Sequence, residues 1–194
     1  MKRICVYCGS NPGANPAFAD AARDLGALLA ERNLGLVYGA GNVGLMGIIA
    51  DAVLEAGGEV IGFIPKALEE KELAHTGITE LVVVDSMHQR KQLMADRADG
   101  FIAMPGGIGT LEEVIEVFTW LQLQFHEKPV GLLNTAGFYD PLISFLNRTC
   151  EEQFLKREQL DMLMVSDSPA ELLNRFATFR PAEANKWFEH RNES

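Results

Sequence analysis

With 194 residues, 47% of them hydrophobic, and a mean hydropathy near zero (+0.02), the chain carries enough apolar material for one soluble domain whose core needs no disulfide or metal. A formal charge of −10 and a pI near 4.9 argue against nonspecific binding of nucleic acid or anionic membranes, and an anionic ligand must meet a local positive site built against that field. Three cysteines cannot all pair, and no run of about 18 uninterrupted apolar residues occurs, so the expectation is a cytoplasmic protein in a reducing compartment.

In chain order, short apolar runs alternate with segments of helical period. The first run, residues 3–8, predicts a strand that stops at Gly9-Ser10-Asn11-Pro12 and is too short for a secretory signal. Its Cys5-x-x-Cys8 pair lies inside the strand pattern and does not open a helix. The four histidines (75, 88, 126 and 190) are scattered, so buried structural thiols are expected and no redox or zinc site. Asn15-Pro16 supplies an N-cap and a first-position proline to a helix with Phe18, Ala22, Leu25 and Leu29 on one face.

Further strands are predicted at 35–38, 60–64, 80–84, 100–103, 130–133 and 163–165. Ser168-Pro169-x-Glu171 is a capping box ahead of Leu172, Leu173 and Phe176. Strands alternating with helices give an α/β fold: one Rossmann-like, doubly wound parallel sheet of about seven strands over residues 1–180. Residues 181–194 form a polar tail or short helix. In such a sheet the ligand lies in the loops at the carboxyl ends of the strands.

Two of those loops are rich in glycine. Gly39-Ala40-Gly41-Asn42-Val43-Gly44 spells G-x-G-x-x-G, but a dinucleotide site needs an acidic residue at the end of the next strand. Here that strand ends in Pro65-Lys66, with Glu59 at its wrong end. Close packing of backbone around a ligand pocket is the better reading, with a tight structural turn as the alternative. The second loop, Pro105-Gly106-Gly107-Ile108-Gly109-Thr110, lacks the Lys of a Walker loop. Its glycines and the start of the following helix suit a single phosphate. Thr110-x-x-Glu113 also reads as a capping box.

Between these loops, Ser86 and Gln89 form a capping box, followed at once by Arg90 and Lys91. Cations near a helix start are disfavoured by its dipole, a local inconsistency expected where function sets the residue. The strands 80–84 and 100–103 are successive, so their carboxyl ends are expected as neighbours, bringing Arg90 and Lys91 towards Thr110 and Glu113. An anion-binding loop, two cations and one or two carboxylates suit cleavage through an oxocarbenium-like state.

At these residues the sequence resembles the Lonely Guy family, the cytokinin riboside 5′-monophosphate phosphoribohydrolases. The signature P-G-G-x-G-T-x-x-E stands as Pro105 to Glu113, and the R-K pair as Arg90-Lys91. The likeness runs through Gly41-Asn42-Val43-Gly44-Leu45-Met46-Gly47, Ile64-Pro65-Lys66 and Lys128-Pro129-Val130-Gly131-Leu132-Leu133-Asn134. It departs at Ala40, where a third glycine is usual. The resemblance implies hydrolysis of a nucleoside 5′-monophosphate to an adenine-type base and ribose 5-phosphate by a homodimer with no cofactor. It implies Arg90 and Glu113 as the catalytic pair. The nucleotide would lie on Gly106, Gly107, Ile108, Gly109, Thr110 and Leu111, with Glu72, Lys91, Glu112 and Thr119 completing the site.

An apolar substituent on the base has Met87, Met94, Trp120 or a partner subunit as candidate contacts. The competing readings are a nucleotide- or cofactor-binding carrier that holds a phosphate without chemistry and a lysine decarboxylase using pyridoxal phosphate, for which Lys91 is the nearby lysine.

Overall fold

Seven parallel strands make one sheet in the order β4-β3-β2-β1-β5-β6-β7, as seen in a computed structural model that describes residues 1–69 and 74–181. Glu72 and the helix expected within 181–194, beyond Pro181, lie outside the described residues. The strands are β1 (Arg3–Tyr7), β2 (Gly35–Tyr38), β3 (Val60–Pro65), β4 (Glu80–Val84), β5 (Gly100–Ala103), β6 (Val130–Leu133) and β7 (Leu163–Ser166). The helices are α1 (Pro16–Glu31), α2 (Gly44–Glu55), α3 (Lys66–Glu69), α4 (Met87–Arg97), α5 (Ile108–Gln122), α6 (Asp140–Glu151), α7 (Arg157–Leu160) and α8 (Pro169–Thr178).

Both faces of the central strands are covered, which is why they read as unbroken apolar runs and not as alternating ones. On one face Ile4, Val6, Leu36 and Tyr38 pack against Leu25 and Leu29 of α1, Ile49 and Val53 of α2, and Phe176 of α8. On the other, Cys5, Tyr7, Phe63 and Phe101 pack against Met94 of α4 and Val114, Phe118 and Leu121 of α5. Three of the expected caps form. Asn15 Oδ1 accepts from the Ala17 N–H at 3.0 Å, Ser86 Oγ from the Gln89 N–H at 3.1 Å, and Ser168 Oγ from the Glu171 N–H at 3.3 Å.

One expectation of placement fails. β4 and β5 are successive in sequence, yet β3, β2 and β1 stand between them. The chain winds outward to the edge at β4 and must then return to start its second half beside β1. α4 is that return, packed across the faces of β4 to β1. Arg90 stands in the first turn of α4, and the reach of its side chain, not strand adjacency, brings its guanidinium to β3 and the end of β2.

Candidate active site

The strand order reverses at β1, with β2 on one side and β5 on the other. Loops leaving β1 and β5 diverge there and open the crevice in which doubly wound sheets take ligands. A cleft of about 340 Å³ lies at this point. Its floor is the turn from β5 into α5, tied to the end of β1 by a hydrogen bond from the Gly9 N–H to the Pro105 carbonyl at 3.1 Å.

α5 starts at Ile108 with Gly107 as its N-cap, and no side chain caps it. Thr110 therefore stands inside the helix, 4% exposed, and the Thr110-x-x-Glu113 capping box does not form. The glycine pair lets the chain enter the helix before Thr110, whose hydroxyl packs under the loop: a β-carbon on Gly106 would stand 2.2 Å from Thr110 Oγ1. The N–H groups of the first turn are left without an intrahelical acceptor, at the positive end of the helix, along Gly107 to Thr110 in the cleft wall. A β-carbon on Gly107 or Gly109 would meet nothing within 4 Å. That is open room for an anion.

Arg90 enters from α4 and is 5% exposed. Its Nε donates to the Phe63 carbonyl at 3.0 Å and its Nη2 to the Gly39 carbonyl at 2.8 Å, fixing the fork against β3 and the end of β2. Half-buried Glu113 also lines the cleft. Burial raises the pKa of Cys5, Tyr7 and Cys8, and the Glu113 carboxylate adds to the rise at each, so its charge sits beside the end of β1. Arg90 acts with the opposite sign at Cys5. A fixed cation and a carboxylate thus share one wall with the uncapped helix start.

The other expected residues divide. Glu112 and Ile108 line the cleft, Ile108 being 82% exposed at its mouth. Lys91 does not line it. Its Nζ bridges Glu112 and a Glu116 carboxylate oxygen at 3.0 Å, clamping α4 to α5. Burial pulls the Lys91 pKa down, but the two carboxylates outweigh it and hold it above the usual lysine value. Leu111 packs against the core, and Thr119 stands exposed roughly three turns up α5, its hydroxyl donating to the Ile115 carbonyl. Met87 and Met94 line the cleft, whereas Trp120 packs against the α5 core cluster. Cys5 and Cys8 are free and buried, with burial raising both thiols, as expected of structural cysteines.

Sequence reasoning missed Ser10 and Met46 as parts of the cleft wall, whereas Gly39 lines it, in keeping with the expected packing of the first glycine loop around a ligand pocket. The available signal for Ser10 was its place in the turn after the first strand, where doubly wound sheets reverse. The glycines of the G-x-G-x-x-G loop also make room for other parts of the protein. Gly39 meets Arg90, and a β-carbon on Gly44 would stand 2.4 Å from the Asn11 nitrogen.

A doubly wound sheet with an uncapped glycine turn at its switch point is the build of an α/β protein that takes phosphate esters. Residues 46–176 match the family model described as "Possible lysine decarboxylase". The chain is 46% identical over 181 residues to a probable cytokinin riboside 5′-monophosphate phosphoribohydrolase of Oryza sativa subsp. japonica, covering 93% of this chain and 74% of that one. To a cytokinin riboside 5′-monophosphate phosphoribohydrolase of Arabidopsis thaliana it is 47% identical over 181 residues, 93% of this chain and 84% of that one. Among solved structures, a molybdenum cofactor binding protein of Rippkaea orientalis aligns with a TM-score of 0.68 at 24% identity, over 92% of this chain and 97% of that one, a likeness of fold. The chain belongs to the Lonely Guy family of cytokinin riboside 5′-monophosphate phosphoribohydrolases.

Proposed function

We infer that this chain hydrolyses the N-glycosidic bond of N6-modified adenosine 5′-monophosphates, releasing the free base and ribose 5-phosphate. One observation carries the reading beyond kinship: an uncapped helix start, a carboxylate and a fixed guanidinium meet in one cleft at the sheet's switch point.

The 5′-phosphate sits on the N–H groups of Gly107 to Thr110, with Gly106 shaping the turn, and this contact sets the distance to C1′. Glu113, ionised, faces the ribose as positive charge builds at C1′ and holds the attacking water. The water oxygen bonds to C1′ and gives up one proton as the C1′–N9 bond breaks, and the base leaves with the bonding pair and takes up one proton, so that charge and protons balance. Arg90, pinned by two carbonyls, orients this charge pattern without moving. Met87 and Met94 offer polarisable apolar surface to the base. Glu72 and Glu112 stand as further substrate contacts.

The family model's description points to a decarboxylase, whose pyridoxal phosphate would need a lysine that loses its proton easily. Lys91 is held protonated by Glu112 and Glu116, and no lysine lines the cleft among the described residues, so the group does not fit here.

The protein acts as a homodimer. Ile108, Ile115, Leu123 and Phe125 are exposed on and just beyond α5, an apolar stripe that begins at the cleft mouth and runs past Thr119. Such a stripe suits a second copy, whose approach would bring Thr119 and Lys91 close to a site. Free cysteines accord with a cytoplasmic setting, and no helix among the described residues is long and apolar enough to cross a membrane.

The Glu113→Gln variant separates an enzyme from a carrier. We expect it to bind adenosine 5′-monophosphate in calorimetry while its turnover falls about 100-fold or more. Turnover equal to wild type would remove Glu113 from the chemistry.

A further inference from the structure

The seat of Arg90 has a feature that the proposed chemistry leaves unexplained. The guanidinium is held by two carbonyls from different strands, Phe63 on β3 and Gly39 just after β2. With Nε and Nη2 engaged, the planar fork cannot swing, and Nη1 faces Met87 Sδ at 3.7 Å. The fork fits because Gly39 has no side chain. A β-carbon there would stand 2.1 Å from Nη2 and 3.1 Å from Cζ, far inside contact distance. Gly39 is not among the residues with a left-handed φ, so its backbone is one that other residues adopt freely. The nearest other neighbour, Met46 Sδ at 3.4 Å, belongs to a flexible chain that can give way; the guanidinium, pinned at two points, cannot.

We propose that Gly39 is a positioning residue of the hydrolytic site, its missing side chain being the seat of the Arg90 guanidinium. The first glycine of the G-x-G-x-x-G loop thus serves a protein cation and not a dinucleotide. A methyl group at position 39 pushes Nη2 off the Gly39 carbonyl and tilts the fork out of plane, displacing the charge that faces the reacting sugar. The proposal rests on the reading that Arg90 takes part in hydrolysis.

A double-mutant cycle tests it with Gly39→Ala, Arg90→Lys and the combination, in the full chain, by steady-state kinetics on adenosine 5′-monophosphate and by thermal melts. Lysine has no Nη2, so the methyl should be harmless beside it. We expect Gly39→Ala to lower kcat by about 10- to 100-fold while KM changes less than about threefold. The double variant should then be no slower than Arg90→Lys alone. In the melts, Gly39→Ala should lower Tm when Arg90 is present and much less in the Arg90→Lys background, a readout that holds even if the single variant barely folds. Equal losses from Gly39→Ala in both backgrounds, in kcat and in Tm, would overturn the proposal. A wild-type chain that releases no base would sink the hydrolase reading instead, and the melt cycle would still decide the seat.

Discussion

Glycines of the β5–α5 turn look alike in sequence and differ in what surrounds them. Gly106 is hemmed in by protein: a β-carbon would press on Thr110 Oγ1 at 2.2 Å and on the Gly9 nitrogen at 2.9 Å. Gly107 faces open space, with nothing within 4 Å of a β-carbon. Contrasting outcomes follow. Gly106→Ala should destabilise the fold by about 1–3 kcal/mol, seen as a lowered urea midpoint. Gly107→Ala should leave stability within about 0.5 kcal/mol of wild type yet raise KM for the nucleotide about tenfold or more, because in the proposed mode of binding only the phosphate would contest that room. An unchanged KM would move the phosphate elsewhere. Ala40 makes the opposite trade, holding a φ of 61° where the family usually has glycine and remaining fully buried.

At the scale of elements, the relation of α4 to α5 determines whether Arg90 and Glu113 share a cleft. Lys91, with its side chain 11% exposed, joins the two helices through Glu112 and Glu116. Lys91→Met should cost about 1 kcal/mol of stability in urea unfolding, with kcat falling further than that loss alone would produce. The pH sign is fixed by the raised pKa. The Lys91 contribution is fully present below its ordinary value of 10.5 and is lost as pH rises through the higher folded value. The wild type should therefore lose this stability above about pH 10.5, and the Lys91→Met variant should show no such loss.

The elements themselves were readable, because unbroken apolar runs and cap residues are local signals. Strands β2, β4, β5 and β6 match their predicted spans, while β1 ends one residue earlier and β3 and β7 one residue later. Strand order was not readable. Apolar runs carry no record of which neighbour they pair with, so β4 and β5, successive in the chain, were expected side by side, although Glu80 and Val83 leave β4 partly exposed at the sheet edge. The Thr110 cap failed for a related reason. Its spacing satisfies a local rule, but the two glycines ahead of it let the helix begin earlier. Arg90 was legible as a cation out of place, and its seat was not, since Gly39 lies 51 residues away in the chain.

For the molecule as a whole, a formal charge of −10 makes the uncapped start of α5 and the buried Arg90 local exceptions to the surrounding field. The apolar stripe along α5 is one exposed apolar exception on the described surface. Light scattering should give twice the 21.3 kDa of one chain for the wild type. Placing charge in the stripe with Ile115→Glu and Leu123→Glu together should give the single-chain mass and reduce turnover, and a single-chain mass for the wild type would remove the dimer. The most direct measurement is product formation. Purified wild type incubated with adenosine 5′-monophosphate and with its N6-prenylated form should release free base and ribose 5-phosphate in equal amounts, faster from the prenylated form, and nothing from the nucleosides lacking phosphate. Absence of free base from both nucleotides, or equal release from the nucleosides, would contradict the account.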